Sequence, residues 1–230
     1  MKFYEINIQT ALKSPIHFQK SPEAISKLIS TALINGGYTL HKENIPKNHV
    51  FSNLGKANSK GFFEKEGKII FRSFQKDLVE KLAKNLFFYE DNIFKIEGIK
   101  FKEVKYKPIK EMISLNPVFI KMKSGDFWSF QKSGDLGVLL SALQDNLLRK
   151  YEMIYNEKLN PENNFIEYFQ IKNNKPQTFF YKNVKFFGWK LYIIPRNDEI
   201  SQKLAFVSLG SGLGHKNSTI GGGFLKYKFE

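Results

Sequence analysis

The residues best suited to chemistry lie just after the first predicted helix, between Gly37 and His49. This stretch holds one tyrosine, two histidines and two lysines, and it shows no buried hydrophobic pattern. Histidine exchanges a proton near neutral pH, and lysine can stabilise the charge that develops on an oxyanion or a phosphorane. The set therefore suffices for metal-free RNA cleavage, in which a 2′-hydroxyl attacks the adjacent phosphate. A solvated loop with incidental histidines is the alternative.

A second candidate lies near the C-terminus, in residues 210–224, which we call the glycine segment. Six of the sixteen glycines occur there, with His215, Lys216, Asn217 and Ser218 between them. Glycine adopts positive φ without steric cost and lets another backbone approach closely. A loop of this composition can present its N–H groups to an anion, with a cation beside them. A flexible surface loop is the alternative.

The anion is expected to be a polymer backbone rather than a mononucleotide. The order G-x-x-x-x-G-K-[S/T] is absent, because Lys216 follows His215 and precedes Asn217. The order G-x-G-x-x-G before a helix is also absent, because residues 224–229 alternate like a strand with one buried and one basic face. Residues 204–207 form an apolar, strand-like run. The glycine segment is therefore predicted to join two strands.

Other reaction classes have little support in the sequence. The chain has no cysteine, which excludes disulfides and thiolate chemistry. Its four histidines lack the spacing of a zinc site, and its acids are scattered. Gly210-Ser211-Gly212 leads into the glycine segment instead of the strand–turn–helix of a serine nucleophile. We expect no metal and no cofactor.

The charge of the chain indicates a polyanionic partner. In 230 residues, 36 lysines and arginines oppose 22 aspartates and glutamates, which gives a formal charge of +14. Such an excess attracts nucleic acid first and an anionic membrane surface second. The N-terminus lacks a signal-peptide core, and no apolar run is long enough to span a membrane. We expect a soluble, cytoplasmic protein that does not bind a membrane.

The first half of the chain has the element order strand, helix, strand, strand, helix, strand, which is typical of a ferredoxin-like unit. Ser21 is the expected N-cap of the first helix, and Gly98 marks a bulge in the last strand. Hydrophobic periodicity predicts strands 2–12, 50–51, 62–63, 68–74 and 93–104 and helices 21–35 and 78–86.

The pattern restarts after Pro108 and Asn116-Pro117. A hairpin is expected to turn at residues 173–176, whereas 199–209 is ambiguous between helix and strand. The other predicted elements are strands 118–122, 165–171, 179–194 and 224–229 and helix 136–154. The predicted fold is α+β, with two tandem ferredoxin-like (RRM-like, βαββαβ) domains, 1–110 and 111–230. The second domain has a degenerate second helix and carries the glycine segment.

Taken in order, these features resemble the CRISPR-associated repeat endoribonucleases of the repeat-associated mysterious protein superfamily, which process precursor CRISPR RNA. The glycine segment is similar to the family's C-terminal G-x-G-x-G-x-K-x-S…G-x-G-F loop. Leu40-His41, followed ten residues later by Phe51-Ser52-Asn53-Leu54, is similar to its His…F-x-F-S-x-L pattern. The basic helix end Asn146-Leu147-Leu148-Arg149-Lys150-Tyr151 is a third match.

The resemblance implies metal-independent cleavage within each repeat, which leaves a 2′,3′-cyclic phosphate and a 5′-hydroxyl. His41 matches the family's catalytic histidine and is the expected general acid or base. Lys47 has the spacing of an assisting lysine, and Tyr38 is a substitute for a tyrosine that the family places earlier. His49 stands where the family usually has an aromatic residue. It is either a second proton-transfer group or a strand residue.

The resemblance also implies that CRISPR repeat RNA, single-stranded or hairpin, is the partner. Membership of a CRISPR effector complex and homodimerisation are left open. His215 departs from the family's usual loop residue and is expected to contact phosphate. The residues expected to bind RNA are Gly212, Gly214, His215, Lys216, Asn217, Ser218, Gly222, Gly223, Arg149 and Lys150.

Two alternatives to a nuclease remain at the level of sequence. A non-cleaving RNA-binding subunit of the same fold would need no working histidine, so His41 and Lys47 favour the nuclease. An unrelated basic binding protein, ribosomal or membrane-peripheral, is the other alternative. A membrane-surface protein would show a basic amphipathic helix, and no predicted helix is basic along one whole face.

Overall fold

A computed structural model describes residues 1–38, 47–87, 89–122, 124–131 and 134–230. Within those ranges the chain forms two four-stranded sheets, two two-stranded sheets and five helices, and all strand pairs are antiparallel. No helix of the described chain is both long and apolar enough to cross a membrane.

The first half has the strand and helix order that the sequence predicts. Its elements are β1 Lys2–Leu12, β2 Ile16–His17, α1 Ser21–Asn35, β3 His49–Phe51, β4 Phe62–Phe63, β5 Glu66–Ser73, α2 Lys76–Leu86 and β6 Phe94–Lys105. The main sheet has the order β3-β5-β1-β6, and β2 pairs with β4 apart from it. Ile6 and Ile8 of β1 are fully buried against the apolar faces of α1 and α2. The register of β1 against β6 shifts beside Gly98, which confirms the predicted bulge.

The second half repeats this order around an additional ribbon. Its elements are β7 Ile109–Ser114, α3 Leu136–Tyr155, β8 Ile166–Ile171, β9 Gln177–Tyr181, β10 Val184–Gly188, β11 Leu191–Pro195, α4 Glu199–Ser211, α5 Asn217–Ile220 and β12 Leu225–Phe229. The main sheet has the order β12-β7-β11-β8, and β9 with β10 forms the separate ribbon. The mixed α/β architecture with antiparallel sheets confirms the predicted class. The division into domains 1–110 and 111–230 stays a prediction.

The first strand of the second sheet is β7, so the predicted strand 118–122 is wrong. Residues 118 and 119 make only isolated bridges, to Trp189 and His215. The hydrophobic pattern of β7 is hidden because its pairing with β12 shifts register near its start. The buried side chains of Ile109 and Met112 are three residues apart, which breaks the alternation expected of a strand.

Helix α4 is a full helix of 13 residues, so the expected degenerate second helix is wrong. Asp198 caps its N-terminus by accepting a hydrogen bond from the Ser201 N–H at 2.9 Å. The helix is enclosed on nearly all sides, and apolar residues from Leu204 to Leu209 are fully buried. A helix buried all round has no amphipathic period, so its sequence resembles a buried strand.

The predicted hairpin between 165–171 and 179–194 is also wrong. Strand β8 pairs with β11, and the ribbon of β9 and β10 lies between them in the sequence. The ribbon turns at Lys182 and Asn183, which both have positive φ. Two consecutive residues with positive φ are typical of a tight two-residue hairpin. The turn lacked the usual glycine and was therefore missed.

The first turn of α1 differs by one residue from its prediction. Lys20 occupies the N-cap position, and Ser21 is the first helical residue. The Ser21 hydroxyl is within 2.5 Å of Asn53 Oδ1 and 3.1 Å of Phe18 O. Because it is engaged in these contacts, it does not cap the helix.

A buried arginine, paired with a glutamate of its own sheet, joins the two halves. Arg72 of β5 and Glu5 of β1 are 4% and 7% exposed, and Arg72 Nε donates to Glu5 Oε2 at 2.8 Å. The same guanidinium donates to Leu225 O of β12 at 2.7 Å and lies 4.3 Å from the Phe224 ring. A guanidinium has enough donors to satisfy all of these partners. Arg72 therefore ties the first sheet to the final strand of the second.

Candidate functional site

The segment that carries His41 leaves α1 at Tyr38 and is described again from Lys47. His41 itself lies outside the described residues. The Tyr38 hydroxyl donates to Gln75 Oε1 at 3.2 Å, and the Gln75 N–H donates to Ser73 Oγ at 3.1 Å. Ser73 in turn donates to Asn48 O at 3.0 Å. These bonds hold the two ends of the His41 segment beside one another.

His49 is a buried strand residue. Its side chain is 3% exposed, and its ring lies 5.0 Å from that of Phe71. The residue sits in β3, opposite Ser73 of β5. A side chain so enclosed has no path to a phosphate on the surface. The geometry favours the strand-residue alternative for His49 over a second proton-transfer group.

Lys47 and Tyr38 both have pKa values shifted by burial. Burial lowers the pKa of the Lys47 ammonium and raises the pKa of the Tyr38 hydroxyl. A lysine whose pKa is lowered loses its proton more readily than one in water. Tyr38 stays neutral and is engaged with Gln75, so it is better suited to hold the segment than to exchange protons. No cluster of three or more potential metal ligands occurs within the described part of the chain.

The glycine segment is folded into the junction between the two halves. It follows α4 rather than a strand, so the predicted strand at 204–207 is wrong. Its helix α5 packs against α1 and β3, the elements on either side of the His41 segment. Ile220 of α5 is fully buried with Phe119, Phe179 and Phe186. The flexible-loop alternative is wrong because most of the segment is buried.

Two glycines in this segment are required by the close approach of another backbone. Gly223 has a φ of +63°, and a Cβ there would overlap Leu213 O. Gly221 has a φ of +64°, and a Cβ there would overlap Phe51 O of β3. A side chain would be strained at these φ values and would push the neighbouring backbone away.

Replacing Gly223 with alanine is expected to lower the free energy of unfolding by at least about 2 kcal/mol, from strained φ together with overpacking. Chemical denaturation measures the effect. Gly37→Ala is the matched control, because Gly37 has a φ of +73° but open space around it. If the two variants lose equal stability, the close approach to Leu213 contributes nothing.

The N–H groups of the segment are mostly used within the protein. Those of Gly212, Leu213, His215, Gly222 and Gly223 all donate to chain carbonyls. The segment therefore does not present an open row of free N–H groups, as the sequence led us to expect. The four glycines predicted to bind RNA are buried. The half-exposed side chains of His215, Lys216, Ser218 and Thr219 are what the segment presents outward, whereas Asn217 is buried.

His215 is a neutral imidazole at pH 7. Burial, together with the positive charges of Lys150, Arg149 and Lys121, lowers its pKa to about 4 in spite of a hydrogen bond at Phe119 that raises it. Its Nδ1 accepts the Lys121 N–H at 3.1 Å, so the ring proton lies on Nε2. His215 can therefore offer a phosphate one neutral N–H donor but no charge.

The side chains of the two basic residues of α3, Arg149 and Lys150, point in different directions. Arg149 is exposed, and its Nε donates to Asp145 O at 3.2 Å. The Lys150 ammonium points into the glycine segment, where it donates to Gly212 O at 2.6 Å. Arg149 is therefore available to a ligand, whereas Lys150 is bound to the protein itself.

A basic cavity of about 800 Å³ opens between β5 of the first sheet, the loop at residues 52–61 and strand β9 of the ribbon. Four lysines reach it: Lys56, Lys60, Lys68 and Lys190. Its described lining contains no acid, although Glu64 accepts a hydrogen bond from Asn58 at the rim. Burial lowers the pKa of the Lys190 ammonium. Four lysines without an acid in the described lining give this cavity a positive potential, which suits a polyanion.

Amide and aromatic side chains complete the cavity. The amides are Asn53, Asn58, Asn116 and Gln177, and the aromatic rings are Phe18, Phe63 and Phe179. Amides can bond base edges, and rings can stack on bases.

Asn116 connects the cavity to the glycine segment. Its Nδ2 donates to Gly221 O at 2.7 Å and to Phe51 O at 3.1 Å, while its Oδ1 accepts the Asn53 N–H. The sequence indicated Asn116 only as part of a boundary. Lys68 and Lys190 were missed because a lysine on a strand is normally just solvated. For Lys68, the alternation of β5 was a usable signal, because it places Lys68 on the face opposite the buried Ile69.

Comparison with known proteins identifies the fold. No protein-family model and no curated protein sequence matches the chain. A CRISPR-associated protein Cas6 is similar over 98% of this chain and 99% of its own, with 19% identity and a TM-score of 0.70. A RAMP protein binding different RNA substrates has 18% identity and a TM-score of 0.72, covering 98% and 99%. A Cas6-related protein from Pyrococcus furiosus has 17% identity and a TM-score of 0.72, covering 98% of both chains. The predicted resemblance is therefore confirmed for the fold over nearly the whole chain.

Proposed function

We propose that this chain is a metal-independent endoribonuclease that cleaves precursor CRISPR RNA within its repeats. The observation that carries the proposal is the acid-free basic cavity, joined through Asn116 to the glycine segment beside the ends of the His41 segment. The fold supports it, because similar structures include Cas6 proteins in complex with a substrate mimic and with product.

The proposed reaction is an internal transesterification. The 2′-hydroxyl attacks the adjacent phosphorus while a general base removes its proton. The bond to the 5′-oxygen breaks, and a general acid protonates that oxygen, giving a 2′,3′-cyclic phosphate and a 5′-hydroxyl. His41 is the proposed general acid or base, and Lys47 stabilises the charge on the phosphorane.

The geometry supports the remaining proposed roles. Tyr38 and Gln75 position the His41 segment, while Lys216, Ser218 and Arg149 contact the RNA backbone. His215 donates one neutral hydrogen bond to it. Membership of an effector complex and homodimerisation stay predictions.

The test is incubation of the protein with labelled CRISPR repeat RNA from the same genome, in EDTA. We expect cleavage at one position, with product ends that are a cyclic phosphate and a 5′-hydroxyl. A repeat with a single 2′-deoxy substitution at that position should resist cleavage, because the nucleophile is absent. Tight binding without cleavage would instead make the chain a non-cleaving RNA-binding subunit of the same fold. Cleavage that requires a divalent ion would contradict the proposed mechanism.

The cavity lysines are expected to bind the RNA backbone. Lys68→Gln and Lys190→Gln should each weaken repeat RNA binding, and each should reduce the slope of log affinity against log salt by about 0.7. Filter binding over a salt series measures both quantities. Lys84→Gln on α2 is the matched control, because α2 covers the opposite face of the first sheet. Equal slopes in all three variants would place the RNA outside the cavity.

A further inference from the structure

The ammonium of Lys150 is enclosed by the glycine segment. It donates to Gly212 O at 2.6 Å, to Gly214 O at 3.0 Å and to Asn217 Oδ1 at 2.8 Å. A lysine ammonium carries three N–H donors and no acceptor. The three acceptors match the full donor capacity of the group and leave it no N–H for a phosphate.

Asn217 completes this arrangement from the other side. Its amide nitrogen donates to Gly222 O at 2.7 Å and to Leu213 O at 3.2 Å, while its oxygen accepts from Lys150. The two side chains together hold four carbonyls of the glycine segment, on both sides of α5. Because α5 packs against α1 and β3, this bonding also sets where the segment lies beside the ends of the His41 segment.

Lys150 has no counter-ion among the described residues, since none of their ion pairs includes it. The charged groups in and near the segment are Lys216 within it, Arg149 on α3 and Lys121, whereas His215 is neutral at pH 7. Burial lowers the pKa of Lys150 to about 7. An enclosed cation without a partner is unfavourable unless its hydrogen bonds are satisfied.

We infer that Lys150 is a positioning residue that fixes the glycine segment for RNA, without contacting RNA itself. Its influence on RNA passes through Gly212, Gly214 and Asn217 to the half-exposed side chains of His215, Lys216 and Ser218. This replaces the expectation from sequence that Lys150 binds RNA directly. The RNA part of the inference rests on the proposed function, whereas the fixing of the segment can be tested without RNA.

The first test measures opening of the segment in the free protein by amide hydrogen exchange, corrected for intrinsic rates. Opening hydrates Lys150 and returns its pKa from about 7 toward 10.5. At a pH between these two pKa values, Lys150 is therefore neutral in the closed segment and takes up a proton when the segment opens. Raising the pH through this window should make opening rarer, by about tenfold per unit. His215 affects opening only in a lower pH range, because opening would raise its pKa from about 4 toward 6.5. A flat profile between pH 7 and 9 in the wild type means that Lys150 keeps its charge and all three donors in the closed segment, and the substitution of Lys150 then decides the inference.

Lys150→Met should abolish that pH dependence and make opening at least tenfold more frequent, because three acceptors lose their donor. The comparison is made within Gly212 to Gly222, with α2 amides as the internal reference. If the glycine segment opens as often in Lys150→Met as in the wild type, the inference is overturned.

The second test measures repeat RNA binding at pH 6, where Lys150 is charged. Lys150→Met should weaken binding while leaving the salt slope unchanged, because no phosphate contact is lost. Arg149→Met is the matched control, since loss of its exposed charge should reduce the slope by about 0.7. A reduced slope in Lys150→Met would show direct RNA contact and overturn the positioning role. Absence of RNA binding in the wild type would contradict the proposed function and leave the hydrogen-exchange test standing.

Discussion

Replacing His41 with alanine is expected to slow cleavage of repeat RNA by about two to four orders of magnitude. His41 is the proposed general acid or base, and the two ends of its segment are held together by Tyr38, Gln75 and Ser73. Removing the imidazole takes away proton transfer but none of the described RNA-facing lysines. Single-turnover cleavage in EDTA should therefore fall while the affinity for repeat RNA stays the same.

His49→Phe is the control for this experiment. His49 packs on Phe71 inside the protein, and an aromatic ring preserves that packing. We expect this variant to cleave at nearly the wild-type rate. If His41→Ala cleaves normally and His49→Phe does not, the assignment of the proton-transfer residue is wrong.

The elements that could be predicted from sequence are those with one face in water. Helix α1 shows a clean period of 3.6 residues, because its other face is partly exposed to solvent. Strand β1 alternates because one face is apolar and the other is mostly polar, although Glu5 on the polar face is buried at the junction. The bulge at Gly98 was visible as a slip in alternation on β6. These features are local, so they survive in the sequence whatever the rest of the chain does.

The elements that were missed have their pattern removed by burial or by irregular pairing. Helix α4 is apolar on nearly all sides, so it shows no helical period. Strand β7 pairs with a register shift, which breaks its alternation. Both depend on what packs around them, which a local pattern does not encode.

The sequence predicted which residue types form the candidate site, but not where their side chains point. Sequence placed Lys150 with Arg149 as a pair of RNA-binding cations, whereas the structure turns one outward and the other into the glycine segment. Asn116 was seen as a boundary signal, yet its amide joins β3 to Gly221. Buried polar residues resemble surface residues in a sequence, because only their partners reveal that they are internal.

Arg72 is the largest example of this kind, and its loss is expected to be severely destabilising. Arg72→Met should lower the free energy of unfolding by about 3–5 kcal/mol, because Glu5 would remain buried without its partner. The two carbonyls that Arg72 bonds, Leu209 O and Leu225 O, would also lose a donor. The melting temperature should fall by roughly 6–20 °C.

Two variants separate the ion pair from packing and from charge in general. The double substitution Arg72→Met with Glu5→Leu should recover much of the lost stability, because no uncompensated charge remains. Lys2→Met removes the exposed ion pair to Glu103 and should leave the melting temperature nearly unchanged, since solvent already screens it. If the double variant is as unstable as Arg72→Met alone, the bonds from Arg72 to the second half outweigh its pairing with Glu5. In that case Arg72 stabilises the protein mainly by joining β5 to α4 and β12.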